Sequence, residues 1–268
     1  MPTPTSTRDV PTALGTVRAY EWTGSDPDTA PVVLLPGRSS GVPMWAENLP
    51  ALRRSGRTVF AFDAVGDAGL SEQTAPVRGA EDQARWVEDA LSGLDLDAVH
   101  TVGHSFGGAT AAAHAVHHPG RPASLSLLEP VFVFRRPPVS TFFWSGVATL
   151  PVPQSWRDRA LAAIGGVSVD EVREHTPVGD MIAAGTEHYS AHLPVPRMLD
   201  DTELAGLTMP AYVAIASDSS LAGGAGAVER ARRIPGALVE VWLDTTHSLP
   251  MQVPDALAER LTEFWASA

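Results

Sequence analysis

The segment TVGHSFGGAT (residues 101–110) sets one serine, Ser105, among Gly103, Gly107 and Gly108. The spacing is Gly-x-Ser-x-Gly, and it falls between an apolar run and an alanine-rich one. A strand that turns at once into a helix needs neighbours without bulky side chains. Such a turn carries its central hydroxyl to the sheet edge, beside the free N–H groups of the helix start. A serine that merely caps a helix needs neither glycine pair. A serine hydroxyl is a weak nucleophile at neutral pH. It needs a base to take its proton, and the base needs a carboxylate to orient it. Nine histidines and 31 acidic residues are available for those posts.

The turn must sit in an alternation of strands and helices, and short apolar runs supply the strands. They are TVRAYEW (16–22), VVLL (32–35), TVFAFD (58–63), AVHTVG (98–103), SLSLLEP (124–130), AYVAIAS (211–217) and LVEVWLD (238–244). Runs without polar alternation, spaced by helical patterns, predict an α/β fold: a mostly parallel twisted sheet with helices on both faces. EDQARWVEDALSGL (81–94) places Ala84, Val87, Leu91 and Leu94 at helical spacing, with an acidic start that suits the helix dipole. PDALAERLTEFWAS (254–267) opens on Pro and Asp and carries Leu257, Leu261 and Phe264 on one face. Residues 131–207 show short helical patterns and no strand. So long a stretch is no plain loop, and it predicts a helical cap inserted over the ligand-binding edge. The expected organisation is a frayed tail at 1–15, a core at 16–130 and 208–268, and the cap at 131–207.

Composition excludes several chemistries. At 268 residues and 44% hydrophobic, the chain suits one globular domain with an insertion. Its net charge of −12 argues against nucleic acid and against an anionic membrane surface as partners. With no cysteine there are no disulfides, thiolate zinc sites, iron–sulfur clusters or cysteine nucleophiles. All basic residues are arginine, so Schiff-base and pyridoxal-phosphate chemistry are excluded too. His114, His117 and His118 read as the solvated end of the helix after Ser105 rather than as a metal site. No cofactor or metal is expected. The Pro/Thr-rich start has no signal-peptide core and no apolar run spans a bilayer, which predicts a cytoplasmic protein.

From residue 16 onward, the cap excepted, the chain resembles the α/β-hydrolase superfamily. The likeness rests on GHSFGG, on LLPGRSSGVPMW where many members have His-Gly, on FDAVGDAGLSE, and on DTTHSLPMQVPDALAERLTEFW. AGLSE and DQARWVEDAL look most like small bacterial members of carboxylesterase type. The resemblance makes Ser105 the nucleophile and His247, between the last strand and the last helix, its base. It leaves two candidates for the acid. The usual post lies three residues past a glycine in the turn after the next-to-last strand. Here that turn is AIASDSSLA, so Ser219 falls on the post and Asp218 lies one residue early. Glu129, in LLEPV, ends the preceding core strand, as the acid does in some members, and is the favoured candidate. Both keep the order serine, acid, histidine.

The resemblance also implies an oxyanion hole made by the backbone N–H groups of Phe106 and Arg38, with Pro36 standing where the family has histidine. Phe142, Phe143, Trp144, Met181 and Met198 are candidates to line an apolar substrate pocket under the cap. The expected function is a serine hydrolase cleaving a small, apolar carboxylic ester or lactone through an acyl-enzyme. Carbon–carbon hydrolases, lyases and acyltransferases share the framework, and a non-catalytic binding protein on the same fold is a further alternative.

Overall fold

The computed structural model describes residues 1–268. Its strands are β1 (Ser6–Thr12), β2 (Gly15–Trp22), β3 (Val32–Leu35), β4 (Val59–Phe62), β5 (Glu72–Gln73), β6 (Val99–His104), β7 (Pro122–Leu128), β8 (Ala211–Ala216) and β9 (Leu238–Trp242). They form one sheet in the order β1-β2-β4-β3-β6-β7-β8-β9, with β5 beside β2. Strands β4, β3, β6, β7, β8 and β9 run parallel, and β1, β2 and β5 are antiparallel additions at one edge. The helices are α1 (Leu49–Leu52), α2 (Ala80–Gly93), α3 (Phe106–His117), α4 (Val139–Thr149), α5 (Gln154–Gly165), α6 (Val169–Arg173), α7 (Pro177–His188), α8 (Asp201–Gly206), α9 (Gly224–Ala231), α10 (Leu249–Gln252) and α11 (Pro254–Ser267). No helix is long and apolar enough to cross a membrane.

The first residues require a correction. Residues 6–12, expected as part of a frayed tail, form β1 and pair in full register with β2. Only Val10 of this strand is buried. The segment is held by backbone ladder bonds to its neighbour, and those leave no signature in an exposed, polar side-chain pattern.

Strand β3 shows why the sheet is covered on both faces. Val33 and Leu35 join one core layer with Trp86 of α2 and Ala111 of α3. Val32 and Leu34 join the other with Leu257, Leu261 and Phe264 of α11. A strand buried on both sides needs four consecutive apolar residues, and VVLL supplies them. The layers fix β6 and β7, and their carboxyl ends carry Ser105 and Glu129.

Residues 131–207 contain α4 to α8 and no strand. Local sequence starts these helices. Ser168 with Glu171, and Asp200 with Glu203, form reciprocal capping boxes at α6 and α8. At α7 the Thr176 hydroxyl accepts from the Gly179 N–H, and Pro177 occupies the first turn. Helices α4 and α5 pack together through Val147, Ala148 and Ala160, with Trp144 against them. Both ends of the stretch belong to the main core, where Val133, Phe134, Leu199, Leu204 and Leu207 are buried.

Four histidines are buried, His100, His104, His114 and His247. His114 is 0% exposed and bonds Glu88 through Nε2, 3.1 Å away, so the expectation of a solvated cluster fails for this residue. Burial pushes His114 and His100 down to about 4 and His104 to about 3. The unfolded chain takes up these protons near pH ~6.5. The stability from keeping the rings neutral is therefore complete above about pH 6.5. It is lost as pH falls toward the folded values, by about 1.4 kcal/mol per pH unit for each histidine. Thermal unfolding followed by circular dichroism should show Tm dropping steeply between about pH 6.5 and pH 4. A Tm that is flat across that interval would contradict this.

Candidate active site

Strand β6 turns into α3 at Ser105, which adopts φ 54°, ψ −119°. The left-handed φ is a local strain that the surroundings must maintain. They do so through backbone bonds: Ser105 N–H donates to the Leu128 carbonyl (3.1 Å), and Val131 N–H donates to the Ser105 carbonyl (3.3 Å). The glycines are explained by space. A Cβ on Gly103 would lie 2.3 Å from the Gly107 oxygen, and one on Gly107 would lie 2.2 Å from the Leu35 oxygen. The turn thus closes only without side chains there, and it leaves the serine hydroxyl at the sheet edge.

His247 follows β9 and sits over this hydroxyl. Its Nε2 lies 3.0 Å from Ser105 Oγ, and its Nδ1 lies 3.2 Å from Glu129 Oε2. All three side chains are buried, Glu129 completely. Glu129 follows β7 in a left-handed conformation, φ 46°, that turns its carboxylate into a cradle of donors. Oε1 accepts from Ala216 N–H (2.8 Å) and Ser220 Oγ (2.7 Å), and Oε2 accepts from Leu221 N–H (3.0 Å) and Ala222 N–H (3.3 Å). Burial alone would raise this carboxyl. The His247 ring, the Ala216 N–H and the Ser220 hydroxyl outweigh it and hold it below the usual carboxylate range. Glu129 is therefore ionised, fixes the proton on His247 Nδ1, and leaves Nε2 free to accept.

Neighbours hold the histidine loop. His104 Nε2 lies 2.9 Å from the His247 carbonyl oxygen, so it carries the proton and donates. Its burial, reinforced by the adjacent His247, keeps it neutral and removes it as a competing base. On the other side, the hydroxyls of Thr246 and Ser248 both donate to the Gly165 carbonyl at the end of α5, each at 3.0 Å. The end of α5 is thus bonded to both residues flanking His247.

Phe106 is the first residue of α3, where N–H groups have no partner further back in the helix. The Arg38 N–H finds no acceptor in the protein. Its guanidinium lies over the Phe106 ring, 5.2 Å from the centroid. Beside the serine, Val131, Phe132 and Leu221 form a small apolar wall, joined by Phe106 and Ile164. The rings continue outward: Phe106 meets Phe132 edge-on at 6.0 Å, and Phe132 meets Phe142 at 5.9 Å.

The model of the alpha/beta hydrolase fold matches residues 30–167, just over half of the chain. The chain belongs to the alpha/beta hydrolase fold family. Within this family it is similar to the carboxylesterase YbfK of Bacillus subtilis (strain 168), 24% identical over 249 residues, which is 90% of this chain and 82% of that one. A shorter match joins it to the 2-hydroxy-6-oxo-2,4-heptadienoate hydrolase of Pseudomonas putida, 38% identical over 107 residues and 38% of each chain. Among solved structures, the B. subtilis carboxylesterase CesB (YbfK) superposes with a TM-score of 0.86 at 23% identity, covering 98% of this chain and 92% of that one. The naproxen esterase of B. subtilis superposes with a TM-score of 0.85 at 21% identity, covering 97% and 91%. These two share the fold.

On this hydrolase fold the two carboxylates left open by the sequence occupy different places. Glu129 touches His247. Asp218 is exposed, and it is its backbone N–H that is bonded, to the Thr245 carbonyl. The suggested pocket residues divide as well. Phe142 continues the ring series from Phe106, and Met181 is half-buried on α7. Trp144 packs into the α4–α5 contact instead. Phe143 is 57% exposed and points outward, and Met198 lines an open depression with Asp200, Thr202 and Arg230 rather than the space at Ser105. Helical spacing in the cap could not distinguish these faces. No sequence motif marks Phe132, Ser220 or Asp67 as site residues. The signals available are closeness in sequence, Phe132 three residues after Glu129 and Ser220 two after Asp218, and the place of Asp67 in the Gly66-Asp67-Ala68-Gly69 turn after β4.

Proposed function

We propose that this protein is a serine hydrolase that cleaves a carboxylic ester or lactone through an acyl-enzyme. The observation that carries it is the unbroken series Ser105 Oγ, His247 and Glu129, at 3.0 and 3.2 Å. Ser105 attacks the acyl carbon while its proton passes to His247 Nε2. Negative charge develops on the carbonyl oxygen, where the Phe106 and Arg38 N–H groups receive it. Such preorganised donors are worth about 3–4 kcal/mol each. Glu129 stabilises the imidazolium formed. His247 then protonates the leaving alcohol, the carbonyl re-forms, and water repeats the sequence to release the acid and free Ser105.

The carboxylesterase relative and the naproxen esterase support an ester as the bond cleaved. The apolar wall at Val131, Phe132 and Leu221 supports a small apolar acyl or alkoxy group. The vacant acid post after β8 and the proline at 36 in place of the family's histidine favour a non-catalytic role, and the contact of Glu129 with His247 speaks against it. The test is incubation with a fluorophosphonate probe beside an assay on p-nitrophenyl acetate and butyrate. Labelling at Ser105 that abolishes ester hydrolysis is the expected result. A protein that turns over the esters with Ser105 unlabelled, or that neither labels nor hydrolyses, would refute the assignment.

A further inference from the structure

The loop after β3 carries one of the two oxyanion donors and lacks the family's histidine, so something else must hold it. Ser39, the residue after Arg38, is left-handed, with φ 60°. A serine stays there only where its surroundings fix it. Asp67 does this from the turn after β4: Ser39 N–H lies 3.2 Å from Oδ1 and 3.1 Å from Oδ2, and Oδ1 also accepts from Ala68 N–H at 2.8 Å. Asp67 is 5% exposed, a depth at which a carboxylate is retained only with partners. Burial raises its carboxyl, while the two N–H groups and the nearby Arg38 charge oppose that rise. The rest of the loop is tied down separately: Ser40 Oγ donates to the Gly37 carbonyl (2.6 Å), and Val42 N–H donates to Asp63 Oδ1 (2.8 Å). Asp67 is thus the side chain that grips the peptide next to the donor itself.

We infer that Asp67 is a positioning residue for the oxyanion hole, acting through Ser39 to aim the Arg38 N–H at the developing oxyanion. The inference rests on the ester-hydrolase reading. Its mechanism is geometric. The carboxylate accepts at two sites and pins a strained residue. An amide in its place offers one acceptor oxygen and turns an NH2 group toward an N–H donor. The donor then drifts, and transition-state stabilisation falls while ground-state binding stays.

The experiment compares wild type with Asp67→Asn on p-nitrophenyl acetate and measures affinity for phenylboronic acid, whose adduct on Ser105 places a negative oxygen in the hole. We expect kcat to fall about ten- to a hundredfold, below the full loss of one donor, with KM within about twofold. Boronate affinity should fall by a similar factor. A purely structural role would lower Tm and leave kcat per folded molecule unchanged. Folded Asp67→Asn protein with wild-type kcat and boronate affinity, or with tighter boronate binding, would overturn the inference. If the variant fails to fold, hydrogen exchange on the wild-type protein decides: Ser39 N–H protected like the β3 amides supports the grip, and exchange at the rate of an open loop refutes it. Normal fluorophosphonate labelling of wild type alongside an unaffected variant would reject this inference alone; absent labelling of wild type would reject the hydrolase reading.

Discussion

Ser105→Ala should lower turnover of p-nitrophenyl acetate by about four to six orders of magnitude while the protein melts within a few degrees of wild type. The size follows from what is removed. Without Oγ no acyl-enzyme forms, and only the oxyanion donors and binding remain, whose residual acceleration over water is on the order of 10³–10⁴. The small change in stability follows from the structure. Alanine meets the same left-handed φ as serine, and the backbone bonds to Leu128 and Val131 that hold the turn do not involve the hydroxyl. Stopped assays on purified enzyme, with Tm from circular dichroism, separate the two quantities. More than about one-hundredth of wild-type activity in a folded variant would remove Ser105 from the mechanism.

The second large effect belongs to the acid. Glu129→Gln should reduce kcat by up to about four orders of magnitude, while Asp218→Asn stays within about twofold. The carboxylate accepts at every contact it makes, from His247, Ala216, Ser220, Leu221 and Ala222. Glutamine must turn an NH2 group toward one of these donors. It either loses the hold on Nδ1–H, allowing the wrong imidazole tautomer, or leaves a buried group unpaired at about 1–3 kcal/mol. Lower Tm is therefore expected beside lower kcat, and assays belong well below the melting range. Asp218, exposed and without a contact to His247, has nothing comparable to lose. A crippled Asp218→Asn and an active Glu129→Gln would place the acid after β8 instead.

The sequence announced the parts of this site that are enforced by sterics. Gly103 and Gly107 leave a signature because any Cβ there meets backbone, and VVLL does because a strand buried on both faces tolerates no polar residue. The acid was harder to choose. Glu129 and Asp218 are both carboxylates at strand ends, and which one reaches His247 depends on a left-handed φ at Glu129 and on donors from the turn after β8. Those are tertiary facts with no local pattern. β1 leaves no side-chain pattern because backbone pairing holds it, and Asp67 leaves none because its partner is a main-chain N–H of another loop. In the cap, apolar residues on short helices face either each other, as Trp144 does, or solvent, as Phe143 does. Helical periodicity alone cannot separate those faces when the helices pack on one another.

The central claim is a covalent acyl group on Ser105 held beside His247 and Glu129. Intact-protein mass spectrometry of enzyme quenched in acid during turnover of p-nitrophenyl butyrate, followed by peptide mapping, measures it directly. The expected result is a transient mass increase of one butyryl group, located on the peptide containing Ser105 and absent from Ser105→Ala. Steady ester hydrolysis with no adduct at any quench time, or an adduct on another residue, would contradict it.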